Sequence, residues 1–183
     1  SIKMKYIVIG LGNFGLSLAE KLTKLGNEVI GIDNNMAKVE AVKEKISHAI
    51  CMDATDEYTM NGLPFKDTDV VIIAIGEDTG ANIMATAMVK KLHPHRLISR
   101  AITNIHETIL EAMDVQTIIH PEEETAERWA KKLSLKGVVE SFELSINYSI
   151  VEIAIPDQLV GKTIEEVGFR NNYNLFVFLL LKK

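Results

Sequence analysis

Apolar residues along this chain fall into short unbroken runs, and the stretches between them carry apolar positions at helical spacing. Tyr6-Ile7-Val8-Ile9 marks a first strand at residues 5–10, ending in Gly10-Leu11-Gly12-Asn13-Phe14-Gly15. A helix at about 15–25 follows, with Leu18, Leu22 and Leu25 at helical spacing and Gly26 as its stop. The run Glu28-Val29-Ile30-Gly31-Ile32 predicts a second strand ending on Asp33, and Asn34-Asn35 turn the chain into a helix with Val39, Val42 and Ile46 on one face. Ala49-Ile50-Cys51-Met52 predicts a third strand, which ends on Asp53-Ala54-Thr55-Asp56 before a short helix around 57–62 and Pro64.

Val70-Val71-Ile72-Ile73-Ala74 is apolar throughout, the pattern of a parallel strand covered on both faces. It ends in Ile75-Gly76-Glu77-Asp78 and is followed by a helix carrying Ile83, Ala87 and Leu92. Leu97-Ile98-Ser99 ends on Arg100, and a helix with Ile105, Ile109 and Ala112 leads to Thr117-Ile118-Ile119, which ends on His120-Pro121-Glu122. Six strand–helix alternations with polar residues at each strand's C-terminal end predict an α/β fold, a Rossmann-like doubly wound parallel sheet over residues 1–136. After a helix at 125–135 the pattern changes. Two alternating strands are expected at 138–146 and 150–155, a short helix at 163–167 and an apolar strand at 175–181, forming a second, small α+β subdomain over 137–183. That tail is small for a core of its own, so it is expected either to continue past Lys183 or to be completed by a partner chain.

The glycine turn is the first candidate for chemistry. Gly10 allows a tight turn, Gly12 lets a phosphate reach the backbone, and Gly15 lets the helix pack closely on the strand. The helix N-terminus aims N–H groups at any anion bound there. Ligands of such sheets lie across the carboxyl ends of the strands, which selects residues 10–15, Asp33 with Asn34, Asp53 with Ala54 and Thr55, Ala74-Ile75-Gly76-Glu77, Arg100 and Glu122. Asp33 lies 18 positions after Gly15, the spacing at which a carboxylate meets a ribose, and its charge disfavours a 2′-phosphate. Asp53 either borders the adenine edge or caps the short helix. Arg100 meets either a phosphate or a carboxylate.

Composition narrows the function. At 183 residues, 47% apolar and 25% charged, the chain suits a well-cored soluble protein. A net charge of −5 without a basic block gives no footprint for nucleic acid, and no apolar segment is long enough for direct membrane insertion. The single cysteine, Cys51, excludes a disulfide framework. No Tyr-x-x-x-Lys pair, no Walker-type lysine and no grouped histidines supply catalytic chemistry. No catalytic residues are therefore assigned; the alternative is an NAD-dependent oxidoreductase or the nucleotide-binding half of one.

Together the glycine turn with Asp33, Asp53-Ala54-Thr55-Asp56, the 71–78 stretch Val-Ile-Ile-Ala-Ile-Gly-Glu-Asp and Ile119-His120-Pro121-Glu122 closely resemble an RCK (KTN) domain. These domains are the cytosolic regulators of Trk/Ktr potassium transporters and of some potassium channels. The match runs from about residue 5 to 135, and the tail resembles the opening of the companion C-terminal subdomain. The resemblance implies an adenine nucleotide as ligand (ATP or ADP, or NAD or NADH), with Asp33 as the ribose acid and Arg100 near the phosphates. It implies a homodimer built into an octameric ring beneath a membrane potassium transporter or channel subunit, hence a cytoplasmic protein at the inner face of the membrane. It also implies that Glu122 helps hold a divalent cation at the dimer interface. ATP-selective members place an arginine in the glycine turn where this chain has Asn13, a departure that weighs against a triphosphate clamp.

Overall fold

A computed structural model describes residues 2–134, 137–145 and 147–178. Six strands form one parallel sheet: β1 (Lys5–Ile9), β2 (Glu28–Asp33), β3 (His48–Cys51), β4 (Val70–Ile73), β5 (Leu97–Arg100) and β6 (Thr117–Ile119). Their order is β3-β2-β1-β4-β5-β6, so the chain winds one way from β1 to β3, then crosses back beside β1 and winds the other way. The reversal between β1 and β4 is the switch point of a doubly wound sheet.

Alternation along the strands builds a core on each face. Ile7, Ile9, Val71 and Ile73 point to one side, where they meet Met60 of helix α3 (Glu57–Met60) and Ala85 and Val89 of α4 (Thr79–Lys91). Val8, Val70 and Ile72 point to the other, packing with Ala19 of α1 (Asn13–Lys24) and Val39 and Val42 of α2 (Met36–Val42). Burial on both faces is why β4 reads as an uninterrupted apolar run. Helix α5 (Asn104–Ala112) contributes Leu110 to a smaller cluster with Ala101 and Val115.

The chain divides into two compact units, Ser1–Glu122 and Glu123–Lys183. Helix α6 (Pro121–Ser134) begins four residues before the expected start at 125. Proline fits a first helical position because its missing N–H has no helical partner there, and Glu122, Glu123 and Glu124 suit the positive end of the helix dipole. The second unit holds an antiparallel hairpin of β7 (Val138–Ser145) and β8 (Tyr148–Ile153), then short helices α7 (Ile164–Val167) and α8 (Phe169–Tyr173). Thr163 and Glu166 close a capping box on α7. Of the strand expected at 175–181, residues 175–178 carry no regular structure and 179–181 lie outside the described residues. Leu144, Tyr148, Ile150, Val151 and Ile153 of the hairpin are exposed, as a two-stranded ribbon leaves them. No helix among the described residues is long and apolar enough to cross a membrane.

Helices α4 and α5 both end on a residue in the left-handed region, His93 (φ 52°) and Asp114 (φ 57°), positions that glycine fills without a Cβ penalty. His93→Gly is expected to raise unfolding free energy by about 0.5–1 kcal/mol, the steric relief exceeding the added freedom of the unfolded chain. Urea denaturation checks this; a loss of stability would contradict it.

Candidate nucleotide-binding site

The C-terminal ends of β1, β2, β4 and β5 converge on one mouth. Gly10 (φ +98°) turns the chain out of β1, its N–H donating to the Ile32 carbonyl at 2.8 Å. A Cβ on Gly10 would lie 2.7 Å from the Ile75 backbone nitrogen, and one on Gly15 would collide with the Gly10 carbonyl oxygen. These two glycines are therefore closed positions, required by packing. Gly12 is the opposite: a Cβ there meets nothing within 4 Å. It is the N-cap of α1 and offers no side-chain cap, and the first helical bond runs from Leu16 N–H to the Gly12 carbonyl. The N–H groups of Asn13, Phe14 and Gly15 thus have no acceptor within the helix and face the side left open at Gly12. Asn13, at the first helical position, is exposed.

Asp33 ends β2 beside this turn and is 7% exposed. Its Oδ2 accepts the Leu11 N–H at 2.8 Å and its Oδ1 accepts the Asn35 N–H at 2.8 Å. The carboxylate thus fixes the glycine turn from within, and each oxygen retains a lone pair for a further donor. Asn34 is exposed, and Asn35 caps α2. Asp53 accepts from the Thr55 N–H and hydroxyl, which hold its carboxyl below the ordinary range. The short helix is capped by Asp56 instead, so Asp53 is not its cap. Ala54 is buried in the core beside Met60.

Across the switch point, Ile75 packs on Gly10 while Gly76 lies against the Arg100 guanidinium with no room for a Cβ. Arg100 has a side chain 12% exposed, spans the Phe14 ring at 5.6 Å, and donates from Nη1 to the Ala74 carbonyl at 3.3 Å. Its Nη2 pairs with Glu122, whose side chain is 71% exposed, and its buried Nε has no partner among the described residues. Of the two partners open to Arg100 in the sequence, the structure shows the carboxylate.

One charged residue of the mouth escaped the sequence reading. Lys38, on α2, reaches Glu77 in the loop after β4 at 2.6 Å, an ion pair running from the β2 side of the glycine turn to the β4 side. Its hydrogen bond to Glu77, then the charge of Asp33, hold its pKa above the ordinary lysine value against the opposing effect of burial. Its signal was position alone, five residues past Asp33 on the third residue of a helix, and nothing in a helical lysine marks that reach. A shallow cleft lined by Lys5, Glu28, Pro64 and Asp67 lies at the opposite, N-terminal edge of the sheet, away from all these groups.

A parallel sheet ordered 3-2-1-4-5-6, with a glycine turn and an acidic residue on adjoining strands at the switch point, defines a Rossmann-type nucleotide-binding fold. The TrkA-N domain family matches residues 6–121, and this chain belongs to that family. It is 35% identical to the Ktr system potassium uptake protein C of Bacillus subtilis over 174 residues, covering 95% of this chain and 79% of that protein. Against the Ktr system potassium uptake protein A of the same organism the identity is 32% over 176 residues, covering 96% and 79%. Among solved structures, the GsuK channel superposes with a TM-score of 0.68 at 16% identity, covering 93% of this chain and 31% of that one. The GsuK channel bound to NAD gives 0.56 at 14%, covering 65% and 22%. At such identity these two similarities speak for the fold alone.

Two outcomes follow from this geometry. Gly15→Ala is expected to cost about 3 kcal/mol or more, since backbone cannot yield to the new methyl, whereas Gly12→Ala should stay within about 0.5 kcal/mol of the parent. Equal losses in chemical denaturation would refute the distinction between closed and open glycines.

Proposed function

We propose that this chain is a regulatory subunit of a potassium-uptake system, responding to an adenine nucleotide held at the mouth around Gly12. The observation carrying the reading is the pairing of an unfilled backbone cradle at Gly12 with the buried Asp33 carboxylate beside it. A pyrophosphate would lie on the N–H groups of Asn13, Phe14 and Gly15, and ribose hydroxyls would donate to the free lone pairs of Asp33. Thr55 and Asp53 border the adenine side in this reading. The relatives named for Ktr potassium uptake support the physiological setting, and the GsuK channel bound to NAD is a chain of the same fold that takes an adenine dinucleotide. Since Asn13 brings no charge, NAD, NADH or ADP is favoured over ATP.

In this account the chain acts in the cytoplasm as a homodimer within a ring docked on a membrane potassium transporter. The nucleotide shifts the ring between conformations only by its differential affinity for them. Arg100 supplies such a difference: phosphate and the Glu122 carboxylate compete for one guanidinium, and Glu122 lies in the first turn of helix α6. Any divalent cation at Glu122 is assigned in this reading to the assembled dimer; among the described residues no three His, Cys, Asp or Glu side chains are grouped to hold one. The remaining donors would come from a second copy and from the nucleotide.

Isothermal titration with ATP, ADP, AMP, NAD and NADH tests the reading. Binding tighter than millimolar is expected for at least one, weakened about tenfold or more in Asp33→Asn, which loses the charge that accepts ribose hydroxyls. In buffer free of divalent cations, Glu122→Gln, which removes the charge that competes with phosphate for Arg100, should tighten ADP several-fold. Absence of binding by every nucleotide would end the proposal.

A further inference from the structure

Beneath the mouth lies a polar cluster in the core. Asn82, Thr86, Ser99 and His106 are all fully buried. The β4–β5 ladder has its last paired residues at Ile73 and Ser99. Beyond that point the Asn82 amide takes over: Nδ2 donates to the Ile75 carbonyl at 2.9 Å and to the Arg100 carbonyl at 2.9 Å. One side chain thereby joins the two strand ends that carry the segment under Gly10 and the guanidinium against Gly76.

The orientation of that amide is set by His106. The Ile102 N–H donates to its Nδ1 at 3.1 Å, so Nδ1 carries no proton and Nε2–H faces Asn82 Oδ1 at 2.9 Å. The Ser99 hydroxyl also reaches Oδ1, at 3.3 Å. With Oδ1 held by donors, the amide NH2 is directed to both carbonyls. A protonated ring would instead oppose an N–H to the Ile102 N–H. The titratable neighbour acting on His106 is His120 at the end of β6, which pairs with Glu107 of α5 at 3.3 Å. Burial, then the His120 charge, lower the His106 pKa from its ordinary value.

We propose that Asn82, oriented by the neutral His106 ring, is a positioning residue of the nucleotide site: it sets the separation of the β4 and β5 ends and so the placement of Ile75 and Arg100 around the bound phosphates. This rests on the nucleotide reading above. Asn82 touches no part of the ligand; it acts through the two carbonyls.

The experiment is titration of the full chain with ADP and NAD, at temperatures where each variant is shown folded by circular dichroism, for the parent, Asn82→Ala, Asn82→Asp and His106→Gln. ADP affinity is expected to fall about tenfold in Asn82→Ala and Asn82→Asp. Asp keeps the acceptor toward His106 but cannot donate to either carbonyl, so equal loss in both variants isolates the bridging donors. NAD, whose pyrophosphate does not titrate in this range, should be bound less tightly by the parent as pH falls below the ordinary histidine value of 6.5, and His106→Gln should flatten that profile. If the parent binds nucleotide and the folded variants bind it equally well, with an unchanged pH profile, the positioning role is overturned and the nucleotide reading stands. If the parent binds no nucleotide, both are overturned. Should Asn82→Ala not fold, the Asn82→Asp and His106→Gln comparisons decide alone.

Discussion

The structure depends on how closely β1 and β4 approach where the winding reverses. Gly10 stands against the backbone of Ile75, and Gly15 against the carbonyl of Gly10, with no volume for a side chain at either place. That contact joins the two halves of the sheet and sets the start of α1 directly over the end of β1. A candidate anion site needs no dedicated side chain there, because the helix N-terminus has no side-chain cap and a Cβ on Gly12 would meet only open space. Asp33 then serves twice, holding the Leu11 N–H from below and keeping lone pairs for a donor above.

Charge around the mouth is arranged in pairs. Lys38 is matched by Glu77, and Arg100 by Glu122. Partly exposed pairs of this kind contribute little to stability, so exchanging a carboxylate for a phosphate costs little. The Arg100 pair differs in that its guanidinium side alone is shielded, lying against Ala74, Phe14 and Gly76. A shielded cation with an exposed carboxylate is suited to changing partners, and that carboxylate belongs to the second residue of helix α6.

The parallel sheet was legible because its central strands β1, β2 and β4 carry apolar runs that end buried, and helices α1, α2 and α4 carry apolar residues at the spacing that meets them. Gly10 and Gly15 were legible for the same reason: a tight turn and a close helix–strand approach follow from backbone sterics, which spacing encodes. The start of α6 was not, since Pro121 reads as a strand terminator and serves equally as a first helical residue. Lys38 and the Asn82–His106 cluster were missed because their roles come from tertiary distances: a helical asparagine or histidine has the same appearance whether it faces solvent or bridges two strand ends. Residues 175–178, apolar enough for a strand, remain irregular, with no ladder partner among the described residues.

The central claim is that an adenine nucleotide binds at the mouth organised by Gly10, Gly12 and Asp33. Amide-resolved NMR titration of the isotopically labelled chain with ADP and with NAD tests it most directly. Shifts are expected to concentrate on residues 10–15, Asp33 to Asn35 and Ile75 to Glu77, and to saturate with a single affinity for each ligand. Shifts confined to the N-terminal edge of the sheet around Lys5 and Glu28, or no saturable shifts at millimolar nucleotide, would contradict it.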